Sequence, residues 1–311
     1  MSKQSVSIVV PIYNEEASIS TLYGELKTAL SNFPFHEIIF INDGSFDTSI
    51  DEITTLVEQD SAVILIDLYS NFGKADALNE GFKVASGDII ITMDGDLQDD
   101  PAEIFNLVNK VNEDWDLVSG WKVDRQDPIT KRWPSKFFNT VMRYVTKVKI
   151  HDFNCGLKAY RQKVVKSIDL YGGMHRYTPA LAAQKGFSVT EIPVNHRSRQ
   201  FGVTKYGGSR FFHGFYDLLT VMFLGKYLTR PLHFFGSIGL VLLSAGFAIN
   251  VYLTIGWFNG VWIGDRPIFF LGILLLIVGI QFFSMGLIGE LITKTAHRNE
   301  NIVLRKYRKK E

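Results

Sequence analysis

Cysteine is almost absent from this chain: Cys155 is the only one among 311 residues. A single thiol excludes an intrachain disulfide and a cysteine zinc cluster, and it fits a reducing compartment for the soluble part. An excess of one charge sign is also missing, with 33 Lys and Arg against 32 Asp and Glu and a net charge of +1. No basic domain with interleaved aromatics stands out, so a global nucleic-acid footprint is excluded. The first residues, Met1 to Tyr13, lack the basic-then-apolar order of a secretory leader and read as a strand. Finally, two long stretches, Leu232–Ile255 and Ile268–Ile288, contain no Asp, Glu, Lys or Arg. Each is close to or above the roughly 20 residues that cross a bilayer core, and two in tandem argue against buried core helices.

What is present begins with alternation. Val6–Pro11, Glu37–Ile41, Val63–Leu68, Ile89–Met93 and Asp116–Ser119 read as strands, and segments near 15–31, 48–59, 74–85 and 101–113 read as helices. Strands apolar on both faces and separated by helices predict an α/β domain on a parallel sheet covered on both sides. An amphipathic helix is expected over 128–148, then a short strand near 155–160, helices through 163–185 and a strand over Val189–Val194. The character changes near residue 209. Arg210–Leu228 is rich in aromatics and suits either a membrane interface or an ordinary packed helix. The predicted organisation is a globular domain over 1–208, a juxtamembrane amphipathic helix over 209–230, two membrane helices within 231–292 (about 232–255 and 268–290) and a basic tail over 293–311.

The chemistry gathers where the strands end. Asp94-Gly95-Asp96 follows the apolar strand Ile89–Met93. Two carboxylates one residue apart in a loop make a hard-oxygen site for Mg²⁺ or Mn²⁺, ions that take one or two carboxylates together with a substrate's phosphates. Pro11-Ile12-Tyr13-Asn14-Glu15-Glu16 ends the first strand, and Asn42-Asp43-Gly44-Ser45-Phe46-Asp47 ends the second, both at the sheet edge where such folds bind ligands. Asp43 could accept hydrogen bonds from a nucleobase or ribose. Ser45 or Asp47 could cap a helix, and for Asp47 the cap is favoured. Asn71-Phe72-Gly73-Lys74 follows the third strand, where Lys74 could meet a phosphate or remain solvated.

Taken in order, these four motifs resemble the family 2 glycosyltransferases, with their nucleotide-sugar-binding GT-A fold, over residues 5–205. With the two apolar runs, the chain looks like the polyprenyl-phosphate branch of that family, the dolichol-phosphate-mannose-synthase-like group. Within it the bacterial enzymes that load glucose onto undecaprenyl phosphate look nearest. The resemblance implies donor contacts from Pro11, Tyr13, Glu15, Asp43 and Lys74. It implies a metal and diphosphate site at Asp94 and Asp96 completed by Gln98, holding Mg²⁺ or Mn²⁺, and an acceptor-side loop around Asp152. Arg199-Gln200-Phe201-Gly202-Val203-Thr204-Lys205 matches the family's Arg-x-x-Gly-x-Ser-Lys pattern, with Thr204 keeping the hydroxyl. Arg199 and Lys205 would then offset charge on the departing diphosphate. Lys131, Arg132, Ser135 and Lys136 correspond to the stretch that meets the lipid phosphate, although a solvated helix face would look the same.

The resemblance thus implies transfer of a hexose, glucose from UDP-glucose first, to polyprenyl phosphate. Alternative donors carry mannose, an N-acetylhexosamine or an aminoarabinose. A phosphate monoester is already largely anionic at neutral pH, so Asp152 is expected to orient a reactant and not to act as an obligatory base. In-line attack on an α-linked donor would give a β-linked product. A processive polysaccharide synthase is disfavoured because position 129 is Ile where its Gln-x-x-Arg-Trp motif needs Gln. A non-catalytic membrane anchor is the remote alternative. The flanking charges place both termini and the large domain in the cytoplasm, as a multi-pass protein of the inner (cell) membrane. Lys226, Arg230, Lys294 and the basic tail stand on one side, and only Arg266 against Asp265 lies in the connecting loop. A homo-oligomer, a tetramer by resemblance, is expected. Gly236, Gly239, Gly246, Gly272, Gly279, Gly286 and Gly289 offer small faces either for that assembly or for the hairpin itself.

Overall fold

The computed structural model describes residues 4–123, 139–144, 146–170, 172–198, 231–264 and 266–296. They fall into two compact units, one on each side of residue 221.

The first unit is built on seven strands: β1 (Val6–Ile12), β2 (His36–Asn42), β3 (Val63–Asp67), β4 (Ile89–Thr92), β5 (Leu117–Lys122), β6 (Lys158–Arg161) and β7 (Val189–Val194). Their order across the sheet is β3-β2-β1-β4-β6-β5-β7. The apolar runs form the centre because both of their faces are covered; in β1 the residues Val6, Ile8, Val9, Val10 and Ile12 are fully buried. Helix α1 (Glu16–Leu30) packs Ile19, Leu22, Leu26 and Leu30 onto one face, at the spacing of a single helical stripe. Helices α2 (Ser49–Gln59) and α4 (Ile104–Asn112) join the same core through Ile53, Leu56, Ile104, Leu107, Val108 and Val111. Helix α3 (Lys74–Val84) lies against β1 and β2 and buries Leu78 and Phe82, with the Phe82 ring edge-on to Tyr160 of β6.

The expectation of a parallel sheet needs correcting at one strand. β6 pairs antiparallel with both β4 and β5, while the other neighbouring pairs are parallel. The reversal has a consequence for the site. Because β6 starts where β4 ends, with Lys158 opposite Thr92, the loop leading into β6 joins the edge that carries the carboxyl ends of the parallel strands. The chain reverses strand order beside β1, which is flanked by β2 and β4. That switch point opens the crevice in which open α/β sheets bind ligands.

Two helical expectations also change. The helix expected over 101–113 starts as a 3₁₀ turn, Pro101–Glu103, before α4; Asp100 caps it by accepting from the Ala102 amide at 3.0 Å, with proline in the first turn. The helices expected through 163–185 reduce to a turn at Gln162–Val165, a 3₁₀ turn at Met174–Arg176 and α5 (Thr178–Gln184). Of the helix expected over 128–148, residues 139–144 and 146–148 are described; 139–144 and 146 are helical, whereas 147 and 148 are not, and the φ of +60° at Lys147 ends the helix short of the expected boundary. The segment 209–230 and the tail beyond 296 lie outside the described residues.

The second unit is a pair of packed helices, α6 (Pro231–Phe258) and α7 (Pro267–Ala296). At 28 and 30 residues each spans about 42–45 Å at 1.5 Å per residue, beyond the roughly 30 Å of a hydrocarbon core. Both are apolar enough to cross a membrane. Their glycines face each other. A Cβ on Gly239 would stand 2.8 Å from the Gly279 carbonyl, and one on Gly246 would stand 2.8 Å from the Gly272 carbonyl. The small faces read from the sequence therefore serve the intrachain hairpin, where backbones approach closely.

Candidate active site

The loop after β4 carries the two expected metal ligands. Asp94 keeps about a third of its side chain exposed (32%) and pairs with Lys74, the first residue of α3. Burial pushes its carboxyl up, but the ammonium groups of Lys74 and Lys122 outweigh it and hold Asp94 well below the usual carboxylate range. Asp96 is nearly buried, and its Oδ1 accepts from the Gln98 amide at 3.2 Å. Between them, the Gly95 carbonyl accepts from Ser18 Oγ at 2.6 Å, tying the loop to the start of α1. Leu97 has a φ of +59° and is buried in the main core. A bulky residue in that region is strained, and core packing holds it there, fixing the path from Asp96 to Gln98.

Two neighbours complete the surroundings of Asp94. Gly156, in the loop before β6, lies so close that a Cβ there would fall 2.6–2.7 Å from the carboxylate atoms. Asp99 accepts from the Asp94 amide at 3.3 Å and forms a buried ion pair with Lys122, at the end of β5, at 3.0 Å. Burial disfavours the Lys122 ammonium, yet Asp99 foremost, with Cys155 and Asp94, holds its pKa well above the ordinary lysine value.

The first two loops interlock. Asn14 Oδ1 accepts from the Phe46 amide at 2.7 Å and the Asn14 amide donates to Ser45 Oγ at 3.0 Å. Asp47 accepts from the amides of Ser49 and Glu16, while Glu16 accepts from the amide and hydroxyl of Thr48. The N-cap of α2 is Thr48 and not Asp47, which corrects the favoured cap; from one residue ahead, Asp47 accepts from the first amide of α2 and from the first amide of α1. Tyr13 stands edge-on to Phe46 at 6.1 Å, with Pro11 at the end of β1 and Glu15 beside α1. Asp43 is 4% exposed, and its two carboxylate oxygens accept from the amides of Phe72 and Gly73 at 2.8 and 3.0 Å. It therefore moors the loop that delivers Lys74, and burial, outweighing those two amides, raises its pKa. Gly44 is required here: its φ is +66°, and a Cβ would meet the Ser70 and Asn71 backbone at 2.5–2.6 Å.

Asp152 also lies at this edge but is 2% exposed, with Oδ1 accepting from the Asn154 amide at 3.0 Å. The structure thus brings together Pro11, Tyr13, Glu15, Asp43, Lys74, Asp94, Asp96, Gln98 and Asp152. The expected sites at Lys131, Arg132, Ser135, Lys136, Arg199 and Lys205 lie outside the described residues.

Several contributors escaped the sequence reading. The Asp99–Lys122 pair joins residues with no local signal. The segment after β7 is fastened to the loop after β4: Asp99 bridges His196, the Arg197 amide donates to the Gln98 carbonyl at 2.9 Å, and the Arg197 guanidinium pairs with Asp100 and Glu25 at 2.8 and 2.7 Å. Lys158 is 3% exposed in β6 and donates to the Cys155 carbonyl. Burial lowers its pKa to about 8. A lysine between Leu157 and Ala159 was the one visible signal.

The donor set at this edge fits a divalent cation. Asp94 and Asp96 are hard oxygen ligands on one fixed loop, and Gly156 leaves the room beside Asp94 that a side chain would fill. Among the described residues no third carboxylate, histidine or cysteine joins them in a metal-holding group. That is the pattern of a Mg²⁺ or Mn²⁺ site whose remaining ligands come from substrate phosphates and water.

This fold, with acidic loops at the switch point of a mixed sheet, is that of the GT-A glycosyltransferases. It matches glucosyl-3-phosphoglycerate synthase from Mycobacterium tuberculosis, solved with Mn²⁺, uridine diphosphate and phosphoglyceric acid, with a TM-score of 0.56 at 17% identity over 70% of this chain and 78% of that one. The sequence profile of glycosyl transferase family 2 matches residues 7–169. Dodecaprenyl-phosphate galacturonate synthase of Rhizobium johnstonii is 38% identical over 302 residues, 95% of this chain and 89% of that protein. Undecaprenyl-phosphate 4-deoxy-4-formamido-L-arabinose transferase of Pseudomonas aeruginosa is 34% identical over 289 residues, 92% of this chain and 84% of that protein. The chain belongs to glycosyl transferase family 2.

Proposed function

We propose that this protein transfers a sugar from a nucleoside diphosphate sugar to the phosphate of a polyprenyl lipid. The observation that carries the reading is the convergence of Asp94, Asp96 and Lys74 at the switch point, in a chain whose near-full-length relatives are named for polyprenyl-phosphate sugar transfer. An anionic oxygen of the lipid phosphate attacks C1 of the sugar. The C1–O bond to the diphosphate breaks, and the nucleoside diphosphate leaves with that electron pair. Attack opposite the leaving group inverts the anomeric centre, giving a β-linked product from an α-linked donor.

A bound Mg²⁺ or Mn²⁺ supplies positive charge for the departing diphosphate. Asp94, Asp96 and Gln98 would hold it, and Mn²⁺ with uridine diphosphate in the M. tuberculosis structure supports that choice. Asp43 fixes the loop that carries Lys74, and Lys74 supplies a further cation beside the diphosphate. Asp152, sequestered and engaged with its own loop, orients the acceptor-side segment and takes no proton. Lys131, Arg132, Ser135 and Lys136 would meet the lipid phosphate, and Arg199 and Lys205 the diphosphate.

The relatives are named for galacturonate and formamido-arabinose, which moves the donor reading away from glucose toward sugars altered at C4 or C6. In this reading the apolar helices α6 and α7 span the membrane, and the positive flanks support a cytoplasmic side for residues 1–230 and the tail. Assembly as a homo-oligomer belongs to the same reading.

The test is a donor panel. Purified protein, undecaprenyl phosphate and Mg²⁺ or Mn²⁺ are combined with UDP-galacturonate, UDP-glucose, GDP-mannose and a UDP-aminoarabinose, and the lipid product is examined by mass and by the anomeric NMR coupling. One donor giving a β-linked (inverted) lipid phosphate sugar is expected. A product with retained configuration would contradict the single in-line step.

A further inference from the structure

The reaction as described leaves one buried charge without a task. Lys158 is 3% exposed, and its ammonium donates to a backbone carbonyl, that of Cys155. Among the described residues no carboxylate stands within ion-pair distance of it; Asp152 and Asp94 act on it only from farther away. An ammonium carries three donors, and burying one with no carboxylate in direct contact is expensive, so its presence needs a reason.

The surroundings supply one. Lys158 lines a small pocket with Lys74, Thr92, Asn154, Gly156 and His175. Its volume of about 10 Å³ is room for about one water or one ligand oxygen. Two further polar atoms there, Asn154 Oδ1 and His175 Nδ1, are buried without a hydrogen-bond partner. Buried polar groups are normally satisfied, so three under-used groups around one oxygen-sized space mark a place for a polar ligand atom. Lys74 and Gly156 also adjoin the Asp94 carboxylate, so the pocket lies next to the proposed diphosphate site.

We propose that Lys158 and His175 form a subsite for one anionic oxygen of the reactants, with Asn154 accepting a neighbouring hydroxyl. The inference rests on the transfer reaction above. Two reactants could provide that oxyanion: the carboxylate of a uronate donor sugar, or the phosphate of the lipid acceptor. A purely structural Lys158, serving only to fasten the Cys155 carbonyl, is the competing explanation.

The experiment measures dissociation constants by calorimetry on the purified full chain, for wild type, Lys158→Met and Lys158→Arg. One ligand pair is UDP-galacturonate against UDP-galactose, which differ in a carboxylate. The other is a short polyprenyl phosphate against its polyprenol. Wild type is expected to favour the charged member of at least one pair. In Lys158→Met that preference falls about tenfold, the scale of one charge-assisted hydrogen bond, in Lys158→Arg it returns, and UDP alone binds equally to all three proteins. The pair that responds names the source of the oxyanion. If Lys158→Met leaves both preferences at wild-type values, or weakens UDP and every ligand in equal proportion, the subsite is overturned. A wild-type protein that transfers sugar while the variant keeps its preferences refutes this inference alone; a wild-type protein that binds neither pair refutes the transfer reading and this inference with it.

Discussion

Replacing Lys158 with methionine should make the protein more stable, because the native residue holds a cation where the fold disfavours one. Burial lowers the Lys158 pKa from 10.5 to about 8. At about 1.4 kcal/mol per pKa unit that shift corresponds to roughly 3 kcal/mol against folding at neutral pH. Methionine follows the same path with no charge. It forfeits the hydrogen bond to the Cys155 carbonyl, which costs about 1 kcal/mol. A net gain of about 2 kcal/mol remains, or about 4–8 °C in Tm for a domain of some 200 residues. The pH dependence follows from the sign of the shift. A lysine with a depressed folded pKa binds fewer protons folded than unfolded between about pH 8 and 10.5, so wild type regains stability as pH rises through that window. The variant has no such gain, so its advantage should fall through zero at about pH 10 and leave it slightly less stable than wild type, by up to about 1 kcal/mol for the lost hydrogen bond, once the lysine is neutral in both states. The assay is thermal unfolding of wild type and Lys158→Met from pH 6.5 to 10.5. A variant less stable than wild type at pH 7, or an advantage that does not fade with pH, would refute the reasoning.

Other perturbations test separate parts of the account. Gly156→Ala places a methyl 2.6–2.7 Å from the Asp94 carboxylate; the flexible acid moves and the fold survives, so transfer should drop about 100-fold with little change in Tm, and near-normal turnover would remove Asp94 from the reaction centre. Gly44→Ala meets backbone at 2.5–2.6 Å with a φ of +66° and should destabilise the large unit by about 1–3 kcal/mol, measured by denaturant unfolding. Arg197→Ala breaks the pairs to Glu25 and Asp100 and should lower Tm by a few degrees and weaken Mn²⁺ binding measured by electron paramagnetic resonance. Unchanged Mn²⁺ affinity would show that the tie between the β7 end and the metal loop is incidental.

The sequence was most legible where its signals are local. Short segments of five or six residues, mostly apolar, matched β1, β2, β3, β4 and β7 within a residue or two, and the acidic and glycine-bearing turns after the first four marked the candidate edge. The direction of β6 was not legible: four residues carry no parallel or antiparallel signature, and only its partners set its sense. For the same reason the second role of Asp43, mooring the amides of Phe72 and Gly73 some thirty residues away, was hidden behind its match to a ligand-binding motif. Pairs such as Asp99–Lys122 and Arg197–Glu25 form only once the sheet brings distant segments together. Lys158 did break the apolar pattern of its strand, and a charged residue at a position that packing would bury is the kind of exception that sequence reading should examine.

The central claim is transfer of sugar onto a lipid phosphate at the Asp94–Asp96 loop. It is tested most directly by incubating purified wild type and Asp96→Ala with labelled nucleotide sugar, Mn²⁺ and either undecaprenyl phosphate or undecaprenol, and counting label in the organic phase. The account predicts label with the phosphate and wild type only, lost on chelation and restored by adding metal. Equal labelling of undecaprenol, or full activity in Asp96→Ala, would contradict it.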